Sequence, residues 1–511
     1  MFDAIMVGVD AAFQWQNVMY VVVGCLVGTF IGMLPGLGPI TAIALMIPIT
    51  YSIGPSSGMI LMAGVYYGAI FGGSTSSILI NAPGIAGTVA SSFDGYPLAQ
   101  KGMAGKALAI AAWSSFTGGT IGAIMLMIAA PTLAEVSLSF HSGDYVMLML
   151  LGLTAIAAFS SNGEFLKAMM MTVFGLALST VGIDPSSGTE RFTFGQPDLL
   201  DGLSFLLIAM ATFALSEALM NVINPDKDKD DGMGGKALGS FKLSRDEIRE
   251  IYPSVGRSSF IGFLIGVLPG AGATIASFMA YAAERNLAPA KYKKSFGRGA
   301  KRGLAAPEAA NNAACTGSFV PLLTLGIPGS GTTAIMLGAL IAYGLQPGPL
   351  LMQDNPDVFW SVIVSMYFGN VVLLILNLPL IPYLAKILVM PKSLLTIFIL
   401  FFSLIGVYLV SFNTFDLFMM IGFASVALLL RLLAFPMAPL LLGFILVLGF
   451  ILGDMIERNF RRAMLISDGS LNFIWERPLT LSILAIAIVV LLVPLLGFIK
   501  NRRNRSTATP D

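Results

Sequence analysis

Long uninterrupted runs of apolar residues dominate the chain, among them residues 394–410 and 481–499. A helix needs about 17 to 25 such residues to cross about 30 Å of hydrocarbon. Strands of an outer-membrane barrel would instead alternate apolar and polar residues over about ten positions. The pattern therefore predicts an all-α polytopic membrane protein with about ten to twelve spans. We expect the first run, residues 18–33, to be a retained span, because the residues before it lack the basic region of a cleavable signal.

Two apolar stretches are interrupted by the same motif. GMLPGLG at residues 32–38 matches GVLPGAG at residues 266–272, an offset of 234 residues. A second pair follows in the same order, with NAPGIAGT at residues 81–88 and GIPGSGTT at residues 326–333, and its Pro-Gly steps are 245 residues apart. Proline removes a backbone donor, and glycine adopts conformations that other residues avoid. Each motif is therefore expected to end one helix and begin another, as a broken or re-entrant helix.

The repetition divides the chain. Motifs that recur in one order at nearly one spacing predict two duplicated membrane halves, at residues 1–222 and 257–455. The stretch between them, residues 223–256, is polar and carries charges of both signs, so a cytoplasmic linker is expected there. Residues 456–511 are expected to hold a C-terminal span and a basic cytoplasmic tail.

Composition supports the membrane class. Hydrophobic residues make up 56% of the chain and charged residues 11%, with a mean hydropathy of +0.84. These values exclude an ordinary soluble globular protein. The net charge of +1 gives no indication of partners, and no nucleic-acid partner is predicted. Cys25 and Cys315 both lie in apolar, small-residue surroundings, which favours packed thiols over a disulfide or a metal site.

The distribution of basic residues predicts how the halves are oriented. After the first break, the connection at residues 51–58 carries no charge, whereas the equivalent stretch at residues 284–302 carries seven Lys and Arg residues. Cytoplasmic loops are enriched in these residues, so the two stretches are expected on opposite sides of the membrane. Such opposition is typical of inverted-topology repeats. The basic tail at residues 500–505 places the carboxyl terminus in the cytoplasm.

The breaks are the candidate substrate site. Backbone groups freed at a break cannot face lipid, so they are expected to line an enclosed cavity, where helix N-termini suit an anion. Small and hydroxyl residues at the four motifs would complete the site without adding charge. The candidate substrate-binding residues are Pro35, Gly36, Gly38, Thr41, Asn81, Gly84, Thr88, Pro269, Gly270, Gly272, Thr274, Gly329, Gly331, Thr332 and Thr333.

A polar face in the second half is the candidate coupling site. Glu308, Asn311 and Asn312 fall on one face of an Ala-rich helix at i, i+3 and i+4 spacing, and ionisable residues inside membranes are rare and usually functional. Ser74 and Thr75 add hydroxyls in the first half, and Asp94 either coordinates an ion or caps a turn. The structural alternative for Glu308 is a charge at a helix N-terminus, after Pro307.

The alternatives to a carrier are a purely structural role for the kinks, an enzyme, and a passive channel or exporter. A lone Pro-Gly kink in a membrane helix is more often packing than a site, although paired kinks favour function. The chain has no phosphate-binding loop and lacks the usual hydrolytic motifs, so an enzyme is not expected. No cofactor or resident metal is predicted beyond a sodium ion or proton as the coupling ion. A passive anion channel or an organic-acid exporter remains the alternative.

Several stretches together resemble the large membrane subunit of the tripartite tricarboxylate transporters. They include GMLPGLGPITAIALMIPIT, YYGAIFGGSTSSILINAPG, FDGYPLAQKGMAGKALAIAA, GVLPGAGATIASFMAYAAER and APEAANNAACTGSFVPLLTLGIPGSGTTAIMLGAL. The resemblance covers almost the whole chain. It implies a permease of the bacterial inner membrane that works with a small membrane subunit and a periplasmic solute-binding protein. It also implies import of tricarboxylates or related organic acids, driven by a sodium or proton gradient.

Overall fold

Helices build nearly all of the structure, a computed structural model that describes residues 2–34, 38–81, 83–158, 165–184, 188–223, 239–268, 272–384, 392–437, 440, 454–490 and 492. The helices of the amino-terminal part are α1 (Phe2–Ala12), α2 (Trp15–Met33), α3 (Pro39–Thr50), α4 (Pro55–Ile80), α5 (Val89–Leu98), α6 (Ala104–Ser137), α7 (Ser142–Ala158), α8 (Phe165–Leu178), α9 (Phe205–Ala209) and α10 (Ser216–Ile223). A short antiparallel ladder joins β1 (Gly182–Ile183) to β2 (Glu190–Arg191).

The carboxy-terminal part continues the same architecture. Its helices are α11 (Arg245–Val267), α12 (Gly272–Leu287), α13 (Ala290–Lys293), α14 (Lys301–Gly317), α15 (Phe319–Leu325), α16 (Gly331–Ala342), α17 (Leu351–Asp354), α18 (Pro356–Asn377), α19 (Ile381–Leu384), α20 (Lys392–Ser411), α21 (Thr414–Leu432), α22 (Asp454–Ile466) and α23 (Pro478–Val490). Shorter turns are 3₁₀ at Ala86–Thr88, Pro197–Leu199 and Leu471–Ile474 and π-helical at Ala99–Met103 and Met210–Leu215.

The first motif of each half interrupts a helix, as the sequence predicts. In the first half α2 ends at Met33 and α3 begins at Pro39. Proline suits this first helical position, where its missing N–H has no partner to lose. In the second half α11 ends at Val267 and α12 begins at Gly272, whose φ of +58° is left-handed. Four predicted site residues at these breaks lie outside the described residues: Pro35, Gly36, Pro269 and Gly270.

The second motif of each half also interrupts a helix, and the two stops share one backbone geometry. Asn81 ends α4 with a left-handed φ of +52°, and Gly326 ends α15 with a left-handed φ of +68°. These residues are 245 apart, the same offset as the Pro-Gly steps. A residue in this conformation after the last helical turn is a common helix stop. The sequence repeat is thus matched by a repeat in local structure.

The helices before the breaks pack through matched glycines. Helix α2 lies along α4, and α11 lies along α14. In each pair, glycines on the first helix are so close to the second that a side chain would overlap its backbone. Such close approach through small residues is typical of helix packing in membranes. The matched contacts, related by the same offsets of 234 and 245 residues, are Gly28 on Val65, Gly32 on Ala69, Gly262 on Ala310 and Gly266 on Ala314.

Some described helices are long and apolar enough to cross a membrane. Four meet both criteria: Trp15–Met33, Ala86–Ser137, Pro356–Asn377 and Thr414–Leu432. Helices α3 and α16 are apolar but shorter, because the breaks create them as partial helices. The all-α membrane class is therefore confirmed for the described part of the chain. The number of spans stays a prediction.

Helix α11 begins at Arg245, inside the stretch that the sequence predicts as a linker. A reciprocal cap starts it, in which Ser244 accepts from the Glu247 N–H and the Glu247 carboxylate accepts from the Ser244 N–H. The pair satisfies two backbone donors that a helix start leaves free. Residues 224–238 of the predicted linker lie outside the described residues.

Candidate functional site

The breaks of both halves adjoin one another. A β-carbon on Gly84 would overlap Gly32 O, so the second break of the first half packs on the end of α2. A β-carbon on Gly87 would lie 3.3 Å from Ala273 Cβ, in the first break of the second half. A β-carbon on Gly272, the residue before Ala273, would lie 3.7 Å from Ser330 Cβ. Segments remote in sequence therefore form one contiguous region.

Contacts between the halves at this region are reciprocal. Tyr66 on α4 reaches the second break of the other half, with its hydroxyl 3.2 Å from Ser330 Oγ. Asn311 on α14 reaches the second break of the first half, where its Nδ2 donates to Gly87 O at 3.3 Å. Tyr66 and Asn311 are 245 residues apart and so occupy equivalent places in the repeat. Each half therefore touches the break of its counterpart from the same position.

Two of the predicted ligand hydroxyls stabilise the breaks themselves. Thr88 Oγ1 lies 3.0 Å from Ile85 O and Thr333 Oγ1 lies 3.0 Å from Ser330 O, each donating to the carbonyl three residues earlier. Ser330 and Thr333 also form a reciprocal cap at the start of α16, on either side of Gly331 and Thr332. These hydroxyls hold the loops in shape.

The glycines of the first and second breaks have different surroundings. No described atom lies within 4 Å of a β-carbon placed on Gly38, and Gly272 meets only Ser330. Gly84 and Gly329 are instead packed against backbone, Gly329 against Ser318 Cα at 2.7 Å. Gly38 and Gly272 are equivalent in the repeat and begin α3 and α12. Among the described residues, the β-positions of these two helix starts have room, and Thr41 is buried and Thr274 half-buried two or three residues further on.

A buried carboxylate lies between the halves. Glu308 on α14 is 0% exposed, and its Oε2 accepts hydrogen bonds from Ser74 Oγ at 2.7 Å and Ser115 Oγ at 2.9 Å. Ser91 and Asn311 also adjoin the carboxylate. Because α14 begins at Lys301, Glu308 is two turns inside the helix, so the alternative of a charge at the helix N-terminus is wrong.

The predicted polar face of α14 is continuous with this carboxylate. Asn312 Nδ2 donates to Asn311 Oδ1 at 2.8 Å and to the Glu308 carbonyl at 3.0 Å. Asn311 then reaches the Gly87 carbonyl in the adjoining break. The three residues are buried, as is Thr75 on α4. A chain of polar groups therefore connects the carboxylate to the region where the breaks meet.

Asp94 has the structural role of a helix cap. Its Oδ1 accepts from the N–H groups of Gly299 and Ala300 at 2.8 and 2.7 Å, at the start of α14, and its Oδ2 accepts from the Tyr281 hydroxyl at 3.0 Å. A carboxylate at a helix N-terminus satisfies free donors and complements the dipole. Of the two interpretations from sequence, ion ligand or cap, the structure favours the cap.

Ion pairs link the start of α14 to the neighbouring helices. Glu284 pairs with Arg257 at 2.6 Å and with Arg302 at 2.8 Å. Glu247 pairs with both Lys106 and Lys301 at 3.0 Å. Burial acts to raise the pKa of Glu247, but the Ser244 N–H and the two lysines outweigh it and hold that pKa at about 2. The start of α14 is thus fixed by charges from α6, α11 and α12.

Sequence reasoning missed part of the carboxylate's surroundings. Ser91 and Ser115 come from α5 and α6 and were not selected. Serine in a membrane helix usually bonds its own backbone one turn earlier, so the sequence offers no sign that these two face a carboxylate. Ser74 is among the residues that the sequence predicts for the site. Its hydroxyl contacts both its own backbone one turn earlier, at Ile70 O, and the carboxylate, at Glu308 Oε2.

The arrangement suits charged solutes. Helix starts at Gly38 and Gly272 offer free N–H groups and the positive ends of two helix dipoles, which attract an anion. The Glu308 carboxylate and the serine hydroxyls around it offer oxygen atoms, which suit a proton or a hard cation. Broken helices that meet beside such groups define a polytopic membrane transport protein.

Comparison with known proteins identifies the transport family. Residues 18–442 match the tripartite tricarboxylate transporter TctA family, and the chain belongs to it, which confirms the resemblance seen in the sequence. An uncharacterized 52.8 kDa protein in the TAR-I ttuC' 3' region of Agrobacterium vitis is 42% identical over 504 residues, 99% of this chain and 98% of the relative. An uncharacterized protein in the TAR-II ttuC' 3' region of the same organism is 42% identical over 250 residues, 49% of this chain and 100% of the relative. No solved structure matches the chain.

Proposed function

We propose that the protein is the permease subunit of a secondary active transporter in the bacterial inner membrane. It imports tricarboxylates or related organic-acid anions by alternating access, driven by a cation gradient. The observation that carries this proposal is the meeting of the four breaks in one region, where the described residues leave room at the helix starts of Gly38 and Gly272. Family membership supports the substrate class.

The anion is held by backbone and hydroxyl groups. No Lys or Arg occurs in any of the four motifs, so helix dipoles, free N–H groups and the hydroxyls of Thr41, Thr274 and Thr332 supply the attraction. A site of this kind binds a carboxylate without the strong ion pair that a buried guanidinium would form. Release on the second side of the membrane is correspondingly easier.

The two halves are related as inverted repeats. Reciprocal contacts of Tyr66 with Ser330 and of Asn311 with Gly87 support a two-fold relation between them, because each half uses the same patch on the other. The opposed charges of residues 51–58 and 284–302 support an axis in the membrane plane. Such a relation allows one packed unit to move against the rest and to open the site to either side.

Two partners complete the transporter. A periplasmic solute-binding protein delivers the anion, and a small membrane subunit accompanies the permease. Membership of a tripartite family supports both. Delivery by a binding protein also explains why a site without fixed cations suffices in the membrane, since capture from dilute solution takes place elsewhere.

Counterflow in proteoliposomes tests the proposal. The permease, purified with its two partners, is reconstituted with unlabelled organic acid inside and a trace of labelled acid outside, using citrate and a panel of other di- and tricarboxylates. A carrier takes up label transiently against its gradient, and uptake saturates. Label that only equilibrates, without saturation, would identify a channel. An absence of exchange for every acid in the panel would reject a carboxylate carrier.

A further inference from the structure

Two buried oxygen atoms beside each other lack hydrogen-bond partners within the described chain. They are Glu308 Oε1 and Ser91 Oγ. Both residues are 0% exposed, and the serine adjoins the carboxylate. Leaving a buried polar atom unpaired costs about 1 to 3 kcal/mol, and more for a charged group. A charged carboxylate with such an oxygen is therefore disfavoured at this position.

The other carboxylate oxygen is already satisfied. Glu308 Oε2 accepts from Ser74 and Ser115, so two hydroxyl donors on two further helices fix its position. One hydrogen atom on Oε1, donated to Ser91 Oγ, would pair both remaining atoms. Ser74 and Ser115 would keep their bonds to Oε2, because a protonated carboxyl group still accepts at its carbonyl oxygen.

Neighbouring charges do not compensate Glu308. The ionisable groups on the helices packed around it have other partners among the described residues: Asp94 with Tyr281, Glu284 with Arg257 and Arg302, Glu247 with Lys106 and Lys301, and Tyr66 with Ser330. Tyr67, stacked on Tyr66, is buried, and Arg285 lies in the last turn of α12. A carboxylate in such surroundings is costly in its charged form and inexpensive in its neutral form.

We propose that Glu308 carries the coupled proton of this transporter, taking it on Oε1 and sharing it with Ser91 Oγ. The proposal deepens the function proposed above and rests on it. A single proton on Oε1 satisfies both unpaired atoms, and we therefore assign a proton rather than sodium to this place. Loading is the protonation of a carboxylate, and release is its reverse.

A direct path connects the proton to the substrate region. Asn312 Nδ2 bonds the Glu308 carbonyl and Asn311 Oδ1, and Asn311 Nδ2 bonds Gly87 O. Gly87 adjoins Ala273 at the start of α12. A change in the charge of Glu308 thus acts on the break where the anion is proposed to bind. Glu308 is a coupling residue in this account and does not touch the anion.

The test compares Glu308→Gln with wild type in reconstituted complex. The neutral amide imitates the protonated state, so we expect counterflow to persist and to lose its pH dependence. Accumulation driven by a pH gradient should disappear, and a gradient of one pH unit supports about tenfold accumulation per proton in the wild type. Glu135→Gln is the matched control, because Glu135 is exposed on α6, the helix that carries Ser115.

A milder variant guards against misfolding. Ser74→Ala removes one donor that stabilises the charged form, so the pH at which exchange changes should move upward while exchange itself remains. Accumulation that follows a sodium gradient at constant pH, in wild type and Glu308→Gln alike, would overturn the proton assignment and leave the carrier intact. Absence of counterflow in the wild type would instead reject the proposed function.

Discussion

Asn81 and Gly326 occupy equivalent left-handed positions at the ends of α4 and α15, but only Asn81 has room for a side chain. Asn81 is exposed, whereas a β-carbon on Gly326 would lie 2.7 Å from Pro347 O. Both residue types tolerate this backbone region, glycine best of all. The space around each position therefore decides which residue can replace which.

Exchange of these residues should have unequal effects. Asn81→Gly should leave membrane expression and melting temperature near wild type, since glycine adopts the left-handed conformation without strain. Gly326→Asn should destabilise the protein by about 1 to 3 kcal/mol, because the added side chain meets backbone. Thermal unfolding of the purified variants measures both changes. Equal losses for the two would contradict the difference in packing. Reduced uptake by Asn81→Gly with normal stability would support the predicted substrate contact at Asn81.

Gly38 allows the candidate anion site to be tested separately from folding. Its φ of −87° is accessible to any residue, and no described atom lies within 4 Å of its β-position. Gly38→Val should therefore insert and fold normally but lose most uptake, since the side chain enters the space in front of α3. Gly84→Val is the contrasting variant and should fail to fold, because it overlaps Gly32 O. Labelled-acid uptake, normalised to folded protein, separates them. Normal uptake by Gly38→Val would remove this helix start from the site.

Asp94 should contribute stability through the start of α14. Asp94→Ala removes three accepted hydrogen bonds and is expected to cost about 2 to 3 kcal/mol. Asp94→Asn keeps an acceptor for Gly299 and Ala300 and should lose less, because only the oxygen that accepts from Tyr281 is replaced, by an amide nitrogen that cannot accept. Thermal unfolding gives the order of the variants. If alanine instead leaves stability unchanged and alters the dependence on sodium or pH, Asp94 is an ion ligand after all.

Glu247 should stabilise the protein above acidic pH. Its pKa of about 2 is below the ordinary value of 4.5, so its contribution is present at neutral pH and is lost as pH falls from about 4.5 through about 2. Glu247→Gln should cost about 1 kcal/mol or less at pH 7, since the ion pairs are partly exposed. Unfolding in detergent across this range should show the two proteins converging as the pH drops. A constant difference would assign the effect to packing.

The positions of the breaks could be predicted from sequence because they depend on local backbone chemistry. Pro39, directly after the first motif, and Gly272 begin helices, and Asn81 and Gly326 end them within the repeated motifs. Residue type and spacing contain this information directly. The close packing of α2 on α4 and of α11 on α14 depends on other small residues, the glycines at 28, 32, 262 and 266.

The surroundings of Glu308 could be predicted only in part. Its burial and its face on α14 follow from helical spacing, but the partners Ser91 and Ser115 come from helices whose rotation the sequence does not fix. Thr88 and Thr333 differ from these serines, because their hydroxyls bond local carbonyls within the breaks, where the sequence predicts contacts with substrate. Competition between local and distant partners is decided by tertiary packing.

Tyr66 and Asn311 occupy equivalent positions in the two repeats but have chemically different side chains. Stacked phenol rings in one half correspond to amides next to a carboxylate in the other. The two halves therefore differ in the chemistry of their side chains, although their backbones follow the same course at these helices.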